Sequence, residues 1–151
     1  MVTDVTELNN VNAAATDRIL GLFARGDMSF EDKRDILIEP SLSQMVVKAI
    51  EVYLEEYQAK LDKIGTFQLQ VLKKNEEGFL LVVSNPRIKH AHDATQANRA
   101  LSETVALDIA VEKTLEVMAD MLDQTLLIVT ADHSNTMTIS GYPARAADIA
   151  G

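Results

Sequence analysis

Five residues, His90, His92, Asp93, Asp132 and His133, carry side chains that can hold a metal ion or move a proton. They fall in two short clusters, His90-Ala-His-Asp93 and Asp132-His133, which together include all three histidines of the chain. Neutral imidazole combined with carboxylate is the ligand set of a catalytic zinc. A divalent ion held there would polarise a substrate oxygen or lower the pKa of a bound nucleophile. The plainer reading makes Asp132 a turn cap and His90 and His92 solvated loop residues.

Each cluster follows an apolar run. Phe79-Leu-Leu-Val-Val83 precedes residues 84–93, and Thr125-Leu-Leu-Ile-Val-Thr130 precedes residues 131–135. Short continuous apolar runs suit strands covered on both faces. Between them a helix is expected from about Gln96 to Leu122, with Leu101, Val105, Ile109, Leu115, Met118 and Leu122 on one face. Strand, helix and strand make a βαβ unit with parallel strands and a right-handed crossover. Ligands of open parallel sheets bind beyond the carboxyl ends of the strands, where both clusters sit.

Upstream, Ser41 and Gln44 form a capping box after Pro40. Leu42, Met45, Val46, Ala49, Ile50, Tyr53, Leu54 and Leu61 then recur at helical spacing, and Gly65 is the expected stop. Ile19-Leu-Gly-Leu-Phe23 reads as a short buried strand, 24–40 as a loop, and 1–15 as a weak helix or arm.

The chain has 151 residues, the length of one domain. It is 47% hydrophobic and 25% charged, with a net charge of −9. That charge repels a phosphate backbone and argues against nucleic-acid binding. The absence of cysteine excludes disulfides and thiolate metal sites. No apolar run reaches the roughly 20 residues of a membrane-spanning helix. The N-terminus lacks the basic-then-apolar pattern of a secretory signal.

The wording around the clusters closely resembles alkaline phosphatases, animal ones above all. The resemblance is carried by Leu127-Ile-Val-Thr-Ala-Asp-His-Ser134 with Thr136-Met-Thr-Ile-Ser-Gly-Tyr-Pro143, and by Gly78-Phe-Leu-Leu-Val-Val83 with Arg87-Ile88 and the histidines. Leu20-Gly-Leu-Phe23, Glu39-Pro-Ser-Leu42, Met45 and Lys48-Ala-Ile50 add to it, in the family's order. It covers 17–151 apart from roughly 53–70, which reads as an insertion into one incomplete domain spanning 1–151.

The resemblance implies an α/β fold, here a partial parallel sheet with flanking helices from a three-layer architecture. It implies hydrolysis of phosphate monoesters through a phosphoserine, with two zincs and one magnesium. Asp132 and His133 match two ligands of one zinc, and His90 matches a position near the phosphate. The family's Arg-Ile-Asp-His-Gly-His-His becomes Arg87-Ile-Lys-His-Ala-His-Asp93, so Lys89 replaces one zinc-binding aspartate and Asp93 one zinc-binding histidine. His92 and Asp93 remain as weak metal donors. Ser84 stands at the magnesium-ligand position, and Asn135 replaces a histidine. No Asp-Ser-Ala nucleophile motif precedes residue 84, and the family's late zinc-binding histidine is expected beyond Gly151. No catalytic residue is therefore assigned, and a catalytically inactive binding or structural relative is the alternative. The resemblance further implies a homodimer and an extracellular or lipid-anchored location. A chain so short of strands is expected to expose apolar surface.

Overall fold

Ser41 opens a 20-residue helix, as its capping pattern requires. In the computed structural model the Gln44 N–H donates to Ser41 Oγ at 3.2 Å, and the Ser41 N–H donates to Gln44 Oε1 at 2.8 Å. Two of the donors that a helix leaves unpaired at its start are thus satisfied reciprocally. The structure describes residues 1–16, 18–61, 79–138, 141–142 and 144–147, with backbone alone over 54–61. The expected stop at Gly65 lies outside them, as do residues 62–70 of the expected insertion.

Four α-helices are described: α1 (Val5–Asn9), α2 (Leu42–Leu61), α3 (Arg87–Asp93) and α4 (Ala97–Val117), with a 3-10 turn over Ala119–Gln124 after α4. Helix α2 packs chiefly on α4, and α3 on α4. The core lies between α2 and α4. Val46 and Ile50, one turn apart on α2, meet Ala110 and Met118, with Leu42, Val117 and Met121 at the margin. Ile50 is 1% exposed. Burying an isoleucine side chain contributes about 1.5–3 kcal/mol.

The buried face of α4 differs from the apolar face read in the sequence. Ala100, Glu103, Ala106 and Ala110 are buried, whereas Leu101 and Val105 are 54% and 55% exposed. Ile109, Leu115 and Leu122 are also exposed; Met118 alone of that face is buried. The reason lies in the partner. The branched side chains of α2 fill the space between the helices, and alanines on α4 let the axes approach. The larger residues Leu101, Val105 and Ile109 are left half-exposed, lining an open groove with Glu31, Ser41, Leu42 and Ser43.

The expected strands also differ. Among the described residues neither Phe79–Val83 nor Leu126–Thr130 carries a backbone hydrogen bond to another segment. The β pairing described is one isolated parallel bridge between Val2 and Gly21. The expected partial parallel sheet is therefore not seen. Strand N–H and C=O groups pair only across a ladder, and neither run meets a ladder partner among the described residues. Exposure along the first run alternates, from Phe79 at 44% and Leu80 at 88% to Leu81 at 39% and Val82 at 78%. The Phe79 ring packs against Tyr53 of α2, centroids 4.1 Å apart and planes tilted by 42°.

Ile19–Phe23 is likewise not a buried strand. Gly21 pairs with Val2, but Leu20 and Leu22 are exposed. A Cβ at Gly21 would lie 2.7 Å from the Phe23 ring, so a larger residue there requires that ring to move. Residues 24–40 form the expected loop, folded back by Arg34 onto Glu31 and the Glu39 carbonyl.

Candidate functional site

The first cluster is helical. Pro86 stands at the N-cap of α3 with φ −67°, an angle its ring pre-sets for helix entry. The helix ends in a Schellman motif. The Thr95 N–H donates to the His92 carbonyl and the Gln96 N–H to the Ala91 carbonyl, both at 2.9 Å. Thr95 sits in the left-handed region at φ 57°, a place that glycine fills without cost and a β-branched residue does not.

Three groups position α3. Arg87 Nε donates to the Met28 carbonyl, and its guanidinium lies 4.4 Å from the centre of the Phe30 ring. Arg99 of α4 covers the same ring at 4.9 Å and donates from Nε to Asp32 at 3.1 Å. Asn85, just before the helix, donates through Nδ2 to the Glu103 carbonyl at 2.8 Å and to Glu103 Oε2 at 3.3 Å. Glu103 Oε1 accepts from the Glu31 N–H at 2.7 Å. Among the described residues no cation pairs with the buried Glu103 carboxylate, and these donors satisfy it.

On this frame His90 points its Nδ1 toward Arg87, 3.4 Å from the guanidinium, and lies 3.9 Å from Asp27. A guanidinium has only hydrogens to give, so Nδ1 accepts. His92 is half-buried on α3. Lys89 and Asp93 stand one turn apart and form an ion pair at 2.5 Å. Asn135 Nδ2 donates to the other Asp93 oxygen at 2.9 Å. The Lys89 hydrogen bond first, and the Asn135 one second, hold the Asp93 carboxyl below the usual carboxylate range. Ser84 is exposed.

The second cluster is an exposed turn. The His133 N–H donates to Asp132 Oδ1 at 2.9 Å, and His133 Nδ1 meets the Ser134 carbonyl at 2.9 Å. A carbonyl can only accept, so that contact places the ring proton on Nδ1 and leaves the Nε2 lone pair free. His133 Nε2 lies 3.7 Å from Asp132 Oδ2. Two donors on one tetrahedral zinc stand about 3.4 Å apart, given bonds of roughly 2.0–2.2 Å. The tautomer and spacing thus fit two adjacent positions of a zinc. Among the described residues no three His, Asp or Glu side chains converge as a metal-holding group. The structure therefore joins Asp132 with His133, and joins α3 to their loop through Asp93 and Asn135. It does not gather His90, His92, Asp93, Asp132 and His133 into one centre.

Several of these contacts were not read from the sequence. The helical spacing of Lys89 and Asp93 signals their pairing once 87–93 is taken as a helix. The Arg87–Phe30–Arg99 stack and the Asn85–Glu103–Glu31 junction have no local signal, because their members lie far apart in the chain.

Comparison with known proteins gives the same direction as the motifs. The family model described as alkaline phosphatase matches residues 1–151. The tissue-nonspecific isozyme of alkaline phosphatase from Homo sapiens is 38% identical over 146 residues, covering 97% of this chain and 24% of its own length. The membrane-bound alkaline phosphatase of Bombyx mori is 32% identical over 145 residues, covering 96% of this chain and 22% of its own length. The alkaline phosphatase of Gadus morhua is also 32% identical, covering 96% and 26%. The chain thus spans about a quarter of the length of these relatives. No helix among the described residues is long and apolar enough to cross a membrane. With the family model matched over its whole length and relatives at this identity, the chain belongs to the alkaline phosphatase family.

Proposed function

We propose that this chain is the zinc-binding part of a metal-dependent phosphate monoester hydrolase, with Asp132 and His133 as two ligands of one zinc. The observation that carries the reading is the His133 ring. Its Nδ1 is engaged by the Ser134 carbonyl, and its Nε2 stands 3.7 Å from Asp132 Oδ2. The ligand atoms are pre-set in tautomer and separation before any ion arrives. When bound, zinc supplies a positive charge that polarises a phosphoryl oxygen. The chain's own part is to orient that ion through Asp132 and His133, and to place His90 near the phosphate with its Nδ1 toward Arg87. Ser84 offers magnesium only a neutral hydroxyl, a weaker donor than carboxylate for a hard cation. No serine of this chain is assigned as the nucleophile. Phe79–Val83 and Thr125–Thr130 are read as strands of a partial parallel sheet, an assignment supported by the alternating exposure of the first run. The relative named as membrane-bound supports a cell-surface setting. Homodimerisation belongs to this reading by family resemblance.

Zinc titration of the full chain tests the site. The double substitution Asp132→Ala, His133→Ala is expected to lower zinc affinity more than about tenfold, a loss at least as large as removing a supporting group behind a ligand. Unchanged affinity would reject the assignment. Hydrolysis of a chromogenic phosphate ester at alkaline pH, abolished by chelator, tests the activity.

A second reading has its own observation. Lys89 occupies Asp93 and Asn135 completes it, which favours a non-catalytic relative retaining one zinc position. Absence of hydrolysis, with zinc binding intact, supports that reading.

A further inference from the structure

Lys89, Asp93 and Asn135 are three positions at which the sequence departs from the pattern it resembles, and in the structure Lys89 and Asn135 both donate to Asp93. Lys89 Nζ lies 2.5 Å from Asp93 Oδ2. Asn135 Nδ2 donates to Asp93 Oδ1 at 2.9 Å, across 42 residues of chain. Both carboxylate oxygens are thereby engaged by hydrogen-bond donors. An ammonium has no lone pair to offer a metal, and its charge opposes a dication brought to the same carboxylate. The residues present at this end of α3 do not fit a divalent ion.

An exposed lysine–aspartate pair one helical turn apart is common and, alone, contributes little. The Asn135 bond sets this pair apart. It joins α3 to the loop that begins with Asp132 and His133, two residues before Asn135. We propose that Lys89 is the resident cation of this junction: its ammonium takes the place on Asp93 that a divalent ion would need, and the carboxylate so held pins the 131–135 loop to α3 without metal. Asp93 then anchors the 131–135 loop and is not a ligand; the Asp132–His133 pair is set by its own local hydrogen bonds. His92 loses its carboxylate co-ligand in the same stroke.

The Asn135 side-chain amide resonances of the full-length, isotopically labelled chain report the clasp directly. In the unsubstituted protein they are expected to be insensitive to a chelator. Asp93→Ala and Lys89→Met should each move them toward the position of a free asparagine, while Lys89→Arg, which keeps the cation, should not. Raising ionic strength from about 0.1 to about 1 M shortens the screening length from about 10 to about 3 Å, so salt should move the unsubstituted protein toward Lys89→Met. The proposal is overturned if chelator alone shifts these resonances, or if Asp93→Ala leaves them in place. A zinc chloride titration adds an independent arm. Asp93→Ala is expected to bind zinc within about twofold of the unsubstituted chain; a loss of tenfold or more would tie Asp93 to the zinc site, as ligand or as support, and overturn the proposal. The chelator and salt arms need no variant, so a substitution that fails to fold does not shield the idea. Failure of zinc to bind Asp132 and His133 would sink the proposed function yet leave the Asn135 resonances where this clasp puts them.

Discussion

Helices α2 and α4 and the apolar runs Phe79–Val83 and Thr125–Thr130 are all rich in aliphatic residues, yet Ile50 is 1% exposed while Leu80 and Leu126 are 88% and 85% exposed. Two causes separate them. A helix satisfies its backbone hydrogen bonds within itself, so a capped amphipathic segment needs a partner for one face only. A strand leaves its N–H and C=O groups to a neighbour. Among the described residues the helical part therefore finds its partner, and the extended part does not. Apolarity in the sequence marks what has to be covered; it does not say that the cover is at hand.

That contrast can be broken by substitution. The largest effect is expected from Ile50→Ala, which opens a cavity among Val46, Ala110 and Met118 and should cost about 2–5 kcal/mol by chemical denaturation. An effect below half a kcal/mol would show that the α2–α4 core does not hold the chain together. Next is Ala110→Leu. Ala110 is 2% exposed, and overpacking at the close approach of the helices should cost about 1–3 kcal/mol; a stabilised variant would mean that the helices can part without loss. Thr95→Gly should act in the other direction, gaining up to about 1 kcal/mol by relieving the φ of 57° at the end of α3. The smallest change belongs to the extended runs. Leu80→Lys with Ile128→Lys should leave unfolding free energy within about 0.5 kcal/mol and reduce self-association in sedimentation. A large destabilisation there would mean that these runs are buried in solution.

The helices were legible because their signals are local. The Ser41–Gln44 box and the Val46, Ile50 spacing each depend on residues within two turns. The buried side of α4 was not, because Leu101, Val105 and Ile109 outweigh Ala100, Ala106 and Ala110 in any reading of hydrophobicity, and which side is buried depends on where the non-local neighbours of α4 pack. The two strand readings find no pairing among the described residues, because pairing is non-local and a run of apolar residues does not name its partner. At the site, Asp132 and His133 were legible as a dipeptide within a specific motif. Reading Lys89 as an ammonium opposed to a metal was also possible from the sequence. That Asn135 would reach back to Asp93 required the fold.

Glu103 carries a consequence for the order in which the molecule assembles. Its two donors come from Asn85, 18 residues away, and Glu31, 72 residues away. Loop closure costs about 0.6 kcal/mol more for each doubling of length. Two doublings separate the contacts, so the longer closure carries a penalty of about 1.2 kcal/mol, close to eightfold in rate. Refolding should thus dock α3 on α4 before the 24–40 loop closes over them. Pulsed hydrogen exchange would register this as protection of the Ala94 and Gln96 amides ahead of Glu31, and the opposite order would show that the long loop guides the short one.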